Sequence, residues 1–382
     1  METIKGFRDI EDSSRRIAIR NIIEGVFQLY GFKPVETPII EYEEFVKGNN
    51  QNDEAVSDIF KLKDKGNRNL ALRYELTFQL KRLAKNKKLP YRRYEIGSVF
   101  RDEPIGQNRW RQFTQCDADI VGSTLKDEAE ILKIISEILE RLNIDFTVYI
   151  NNRKLLNEIL NDLKIPDNKK TDVIKEIDKL DKLSESEIKQ NLKKYNAEKA
   201  LEIFKSPVKF FEKYPSYKEI KELKKACRLF KVDVAFLPYL ARGLSYYNGS
   251  VFEIKTKEIK ETICAGGSYL INGIQSTGFS FGLDRLELLA KLTTNKNQVL
   301  IISLNQDKPA IELSEKIRSL KISSNVFFGK PSKALEYANS YQIPFVIFLG
   351  EDEIKKKKFK LKNLNSGKEK LIEEKDLERE MK

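Results

Sequence analysis

The sequence contains no histidine at any of its 382 positions. That absence excludes a Ser-His-Asp triad, a Cys-His nucleophile pair and any imidazole metal site. Acid–base work has to fall to carboxylates, lysine, tyrosine or the substrate itself. Cysteine is scarce as well: Cys116, Cys227 and Cys264 are odd in number, far apart and form no CxxC. No zinc motif or disulfide framework follows, and three buried structural thiols in a reducing compartment are expected. Long apolar runs are missing. No stretch reaches the length of a membrane span, and the start, METIKGFRDIEDSSRR, is charged throughout, unlike a signal peptide. A soluble, cytoplasmic protein with no membrane partner is expected.

What is present bounds the rest. The length predicts two domains, with room for an inserted third piece. Apolar residues make up 40% of the chain and charged residues 34%. Lys and Arg outnumber Asp and Glu, 70 to 58, for a formal net charge of +12. Such an excess suits a polyanionic partner, and equally a lysine-rich surface that serves solubility.

Ser13 or Asp12 can cap a helix running to about Tyr30, with Ile17, Ile22, Ile23, Val26, Phe27 and Tyr30 at helical spacing and Gly31 as its stop. GFKPVETPII follows as an extended piece broken by Pro34 and Pro38. Residues 70–77, 93–101 and, most clearly, 113–121 alternate like strands. A helix with Ile131, Leu132, Ile134, Ile135, Ile138 and Leu139 as its apolar stripe comes next, then the strand FTVYI. From about 153 to 235 the chain becomes Lys/Glu/Asn-rich and poor in glycine, and reads as several short helices inserted into one domain. Strand and glycine character returns through FLPYLARGLSYYNGSVFEI and ICAGGSYLINGIQSTGFSFGLDRLELLAKL. After residue 296 the runs VLIISL, NVFF and IPFVIFLG, separated by amphipathic segments, form a βαβαβ pattern with a parallel sheet. The lysine run at 355–362 is a solvated strand or a phosphate contact.

Five constellations carry possible chemistry. Arg101 ends a strand, and Asp102, Glu103, a glycine-containing loop, Arg109, Trp110 and Arg111 lead to Phe113 on the returning strand. Arginine forks suit phosphate oxygens and an aromatic face suits a purine; the same pattern also fits an ordinary salt-bridged hairpin. Gln115, Asp117 and Asp119 project from one face of 113–121, either into a cleft or into solvent. Arg73, Glu75 and Thr77 alternate onto one face, where Glu75 can take an ammonium or sit in a surface salt bridge. Arg242 precedes Gly243 and the pair Tyr246, Tyr247. Finally, paired glycines at 266 and 267 precede Ser268 and Tyr269, and Arg285 falls in the first turn of a helix.

In this order the segments resemble class II aminoacyl-tRNA synthetases and, within them, the histidyl-tRNA synthetase family, over nearly the whole chain. GFKPVETPII resembles the first class motif, FRDEP…RWRQF the second and GFSFGLDRL the third. LRYELT, QCDADIVG, RGLSYYNGSVFE and the GFRDI start narrow the likeness to the histidyl family. The resemblance implies an α+β fold: an antiparallel-sheet catalytic core over 1–296 with a helical insertion at about 153–235, and a small α/β anticodon-binding domain over 297–382. It implies a homodimer with Pro38 at the interface, and L-histidine, ATP with Mg²⁺ and tRNA(His) as ligands. Arg101 and Arg242 take the catalytic positions. Arg101, Glu103, Arg109, Phe113 and Arg285 fall on the ATP side. Glu75, Thr77 and Gln115 hold the α-amino group, with Asp119, Tyr246, Tyr247 and Tyr269 around the rest of the amino acid.

The implied reaction needs no protein base. The histidine carboxylate attacks the α-phosphorus, and Arg101, Arg242 and Mg²⁺ offset the developing charge. The tRNA ribose hydroxyl then attacks the adenylate. The chain departs from the family pattern at Ser245, where an aspartate is usual, and in GGSYLIN, where GGRYDGL is usual. Ser268 and Leu270 thus replace a cation and a carboxylate, a pair whose joint loss would preserve local neutrality. Two rival readings are a synthetase for another amino acid and a regulatory relative of the ATP phosphoribosyltransferase type, which usually lacks the C-terminal domain. A third is an unrelated basic nucleic-acid-binding protein.

Overall fold

A computed structural model describes residues 2–48, 56, 58–180, 183–242, 246–292 and 298–381. The chain divides into two compact units, Met1–Leu292 and Thr293–Lys382.

The first unit is built on an eight-stranded sheet. Its order is Lys33–Pro34, Tyr91–Phe100, Gln112–Val121, Ile274–Gly282, Cys264–Ile271, Tyr247–Lys255, Thr147–Asn152 and Ala235–Phe236. The six long strands pair antiparallel, and only the two-residue strands at the edges run parallel to their neighbours. One face is apolar because alternate residues supply Cys116, Ala118, Ile120, Phe279 and Phe281, all buried. Helices Ser14–Leu29, Leu125–Arg141 and Leu283–Leu289 share the core with that face. The helix Leu125–Arg141 is set by a capping box in which Thr124 and Asp127 satisfy each other's backbone donors. Its Ile131, Leu132, Ile134, Ile135, Ile138 and Leu139 are all buried, matching the expected stripe.

The first helix differs from expectation in its face. Ile17 is 54% exposed and Ile19 takes the buried position with Ile23, Val26 and Phe27. The cause is Arg16, which turns inward to meet Asp284 at 3.0 Å and Glu287 at 2.8 Å and rotates the buried stripe away from Ile17. Between Thr147–Asn152 and Ala235–Phe236 the chain forms helices Arg153–Asp162, Asp167–Ile177, Glu185–Lys193, Lys199–Phe204 and Tyr217–Leu229, with a 3₁₀ turn Val208–Lys213.

The expected strand over 70–77 is shorter, Asn69–Leu72. Beyond it Arg73 O still accepts from Phe100 N at 2.9 Å, but the carbonyls of Tyr74 and Leu76 bond to arginine side chains. Tyr74 O accepts from Arg101 Nε at 3.0 Å and Leu76 O from Arg93 Nη2 at 2.5 Å. The backbone therefore bends there, and Leu80 N closes a turn onto Thr77 O.

In the second unit Gln298–Ser303, Ser323–Phe328 and Phe345–Leu349 form the expected parallel core, with helices Asp307–Ser319 and Pro331–Ser340 as crossovers. A hairpin, Lys358–Asn363 with Glu369–Glu373, extends the sheet antiparallel. Its lysines face glutamates: Lys360 and Lys362 lie 2.6 and 3.0 Å from Glu369, and Lys358 lies 3.9 Å from Glu373. Those partners favour the solvated-strand reading of the lysine run over a phosphate contact.

Candidate active site

The second face of the large sheet carries the polar residues, in rows fixed by strand register. Arg93 lies opposite Asp119, which lies opposite Gly278, which lies opposite Gly267. The next row is Glu95, Asp117, Ser280, Ala265 and Glu253. Then come Gly97, Gln115 and Gly282, and beyond them Val99 with Phe113. From Asp119 to Phe113 is six residues, about 20 Å at ~3.4 Å per residue.

At the Asp119 end the site is enclosed. Gln115, Asp117 and Asp119 are buried, with Asp119 2% exposed, which rules out the solvent-facing reading of this strand. Tyr269 donates its hydroxyl to Asp119 Oδ1 in a short bond, and Arg93 Nη2 lies 2.9 Å from Asp119 Oδ2. Burial pushes the Asp119 carboxyl up, while Arg93 and Tyr269 oppose that rise. Asp117 is raised further, by burial and by Asp119 beside it. Gln115 donates to Ser280 Oγ at 2.8 Å. Gln115 Oε1 and Asp117 Oδ1 are buried with no hydrogen-bond partner, and Asp119 Oδ2 has only its ion pair with Arg93. Buried acceptors of this kind ordinarily find donors, so the face is built for a ligand that brings N–H groups.

The floor between these walls is bare. A Cβ on Gly278 would lie 2.1 Å from Asp119 Oδ1 and 2.8 Å from the Tyr269 hydroxyl, and one on Gly267 would lie 2.8 Å from the Tyr247 ring. Tyr246, Tyr247 and Tyr269 form an aromatic wall, with ring centroids 4.7 to 6.3 Å apart. Burial pushes the Tyr247 hydroxyl up to about 12, so it stays a donor. Glu75 is buried and Thr77 follows it on the bend after Leu72; Arg73 is buried too, paired with Glu95 at 2.7 Å, so neither forms a surface salt bridge.

The other end is cationic. Arg101 follows the strand Tyr91–Phe100 and lies over the Phe113 ring at 5.2 Å. Glu103 pairs with Arg109 in a short contact and lies 3.8 Å from Arg101, so the hairpin is salt-bridged as well as cationic. Arg285, in the first turn after Gly282, donates to Thr262 O at 2.7 Å. Burial lowers its pKa, and Arg109, Arg101 and Arg242 lower it further against Glu261. Arg109, Arg101 and Arg242 thus all lie close enough to Arg285 to disfavour its charge, an excess of cations that suits a polyanion. Arg242 itself pairs with Glu253, which outweighs its burial and raises its pKa.

Residues 6–286 match the family pattern of histidyl-tRNA synthetase, and residues 298–382 match that of an anticodon binding domain. This chain belongs to the histidyl-tRNA synthetase family. Histidine--tRNA ligase 1 of Bacillus cereus is 34% identical across 97% of the chain and 94% of its own length. Histidine--tRNA ligase 2 of Shouchella clausii is 34% identical across 96% of the chain and 97% of its own. The crystal structure of histidyl-tRNA synthetase from Nostoc sp. PCC 7120 superposes with a TM-score of 0.85 at 26% identity, covering 100% of this chain and 98% of that one. The expected class II architecture with a following α/β anticodon-binding unit is thereby borne out.

Against the family pattern, Ser245 lies outside the described residues. Ser268 is buried, its hydroxyl 3.5 Å from Ser250 O, whereas Leu270 is 49% exposed. The two positions have different surroundings, so the loss of both charges is no local exchange. Pro38 is exposed in a segment where Ile39, Ile40 and Tyr42 are exposed as well. Sequence reasoning missed Arg93, Glu95, Glu253 and Gly278. The alternation of 93–101 put Arg93 and Glu95 on one face, but only the cross-strand register shows that this face is the one with Asp119.

Proposed function

We propose that the chain is a histidine--tRNA ligase that forms histidyl-adenylate from histidine and ATP and transfers the histidyl group to the 3′ end of tRNA(His). The observation that carries this reading is the pairing of the Asp119 pocket, with its buried acceptors, and the cations Arg101, Arg109 and Arg242 gathered near Arg285.

The imidazole ring lies over the Gly278–Gly267 floor, with Asp119 accepting its N–H and Tyr246, Tyr247 and Tyr269 around it. Glu75, Thr77 and Gln115 take the α-ammonium. That leaves the substrate carboxylate directed along the sheet toward Arg101. ATP occupies the arginine end: Arg101 and Arg242 face the α-phosphate, Arg109 and Arg285 the outer phosphates, and Glu103 and Phe113 the adenine. A carboxylate oxygen attacks the α-phosphorus, the bond to the β-phosphate oxygen breaks and pyrophosphate leaves. Because the nucleophile is already an anion, no side chain has to remove a proton, and charge stabilisation by fixed arginines does the work. This explains how the activity is compatible with a chain lacking histidine. Among the described residues no group of three or more acidic or cysteine side chains could hold a metal ion. Magnesium is accordingly expected on the phosphates of ATP, where it supplies further charge neutralisation.

Residues 297–382 are assigned to anticodon reading, and the segment about Pro38 to a homodimer interface that would cover Ile39, Ile40 and Tyr42. No helix among the described residues is long and apolar enough to cross a membrane, and a tRNA-charging role assigns the chain to the cytoplasm. The test is amino-acid-dependent ATP–pyrophosphate exchange across all twenty amino acids. Exchange with histidine alone is expected; exchange with another amino acid, or silence with all twenty, refutes the assignment. Arg101→Ala is expected to abolish exchange while the protein stays folded, and activity at the wild-type level would refute the mechanism.

A further inference from the structure

Arg93 has no part in the roles above, yet among the described residues it is the largest fully buried side chain. A guanidinium removed from water is strongly destabilising unless carboxylates and carbonyls surround it. Arg93 Nη2 donates to Leu76 O at 2.5 Å and lies 2.9 Å from Asp119 Oδ2, and its Nη1 lies 3.8 Å from Glu95 Oε2. Glu95 is itself fixed by Arg73 at 2.7 Å and by the Thr37 hydroxyl and amide at 2.8 and 3.0 Å.

Two connections meet in this one side chain. Leu76 stands between Glu75 and Thr77, so its bond to Arg93 ties the bend carrying both to the sheet. The same guanidinium nitrogen lies against Asp119. We propose that Arg93 is a positioning and specificity residue for the amino acid, fixing the spacing between the α-ammonium contacts and Asp119 and keeping Asp119 an acceptor for the imidazole N–H. The proposal rests on the amino-acid site assigned above.

The groups facing Asp119 are Glu95 and Arg93 on the neighbouring strand, Asp117 on its own, and Tyr269 and Tyr247 across the pocket; Glu75 faces Asp117. Arg93 is the only cation in that set. Without it, only the hydrogen bond from Tyr269 opposes the rise that burial and Glu95 impose on Asp119, and an aspartic acid that has taken up a proton no longer accepts from imidazole in the same way.

The experiment is pyrophosphate exchange with Arg93→Met and Arg93→Lys, measuring KM for the amino acid and for ATP separately between pH 7 and 9, where free imidazole is neutral. Arg93→Met is expected to raise the histidine KM at least tenfold, with the ATP KM within twofold of wild type. Its histidine KM should fall as pH rises, more steeply than in wild type. Arg93→Lys keeps the charge but lacks the second nitrogen that faces Glu95, and an intermediate increase is expected. Equal changes in both KM values, or a pH dependence parallel to wild type, overturn the proposal. If Arg93→Met fails to fold by circular dichroism, the KM split in Arg93→Lys decides alone. If the wild type uses a different amino acid, the function assignment fails, and the Arg93 split is then read on that amino acid.

Discussion

Glu128 offers a test of the electrostatics of this fold away from the catalytic face. It lies in the first turn of the helix Leu125–Arg141 and is buried. Burial, with Glu219 and Asp127 nearby, raises its pKa from 4.5 to about 7, against a hydrogen bond from Ser250 and the charge of Lys154. Its Oε2 has no hydrogen-bond partner. Ser250 is also the residue whose carbonyl Ser268 approaches, so the orphan acid and the serine that replaces the family's usual cation both adjoin Ser250. A rise of that size corresponds to roughly 3 kcal/mol of penalty on the charged form. The first turn of a helix favours an anion by about 0.3–1 kcal/mol, which leaves roughly 2–3 kcal/mol.

The sign is set by the direction of the shift. A carboxyl raised in the folded state costs nothing below its unfolded pKa of 4.5, and its full penalty applies above about 7. Glu128→Gln should therefore be near neutral at pH 5 and stabilising by about 2 kcal/mol or more at pH 8. For a unit of this size that is a gain on the order of 3–5 °C in the melting temperature of the first unit at pH 8, and little at pH 5. Scanning calorimetry of wild type and variant at the two pH values measures the difference. Equal shifts at both, or destabilisation at pH 8, would refute the argument.

Two further outcomes are expected. Gly278→Ala drives a methyl group against Asp119 and the Tyr269 hydroxyl and should raise the histidine KM about tenfold or more, from an overpacking strain of roughly 1–3 kcal/mol, while ATP binding persists. Fluorescence titration with ATP and exchange kinetics separate the two effects; equal weakening would remove the pocket from the floor of that strand. Ile135→Ala empties a fully buried position in the central helix and should destabilise the first unit by about 3 kcal/mol on calorimetry, with exchange activity retained at low temperature.

The parts of this molecule that were legible in its sequence are those governed by local periodicity. The 113–121 alternation, the stripe from Ile131 to Leu139 and the parallel core of the second unit follow from side-chain period alone, and all three appear. Where distant residues intervene, local pattern misleads. Arg16 reaches Asp284 and Glu287, far along the chain, and turns the first helix. Arg93 and Arg101 capture the carbonyls of Leu76 and Tyr74, which ends a strand that alternation alone extends. The candidate site shows the same division. Arg101, Asp119 and Arg285 were found as types suited to an anion or an N–H donor, but the placing of Asp119 rests on sheet register and the nearness of Arg101 to Arg285 on chain beyond the strands. Arg93 and Glu95 fall in a segment that alternates like a strand, and only the register shows that they lie beside Asp119 and Asp117.

The bare strip at Gly278 and Gly267 also governs how the pocket's preference can change. Its floor is backbone, and even the smallest side chain collides with a wall residue, so its volume cannot be reduced in small steps from below. Any drift toward another amino acid, by selection or by design, has to pass through the walls: Tyr247, Tyr269 or Asp119. Of these, Asp119 is held by Arg93 and Tyr269 together. Exchange of that carboxylate alone would leave buried Arg93 with Glu95, at 3.8 Å, as its remaining ion-pair partner, so a new specificity there calls for concerted replacement of the pair.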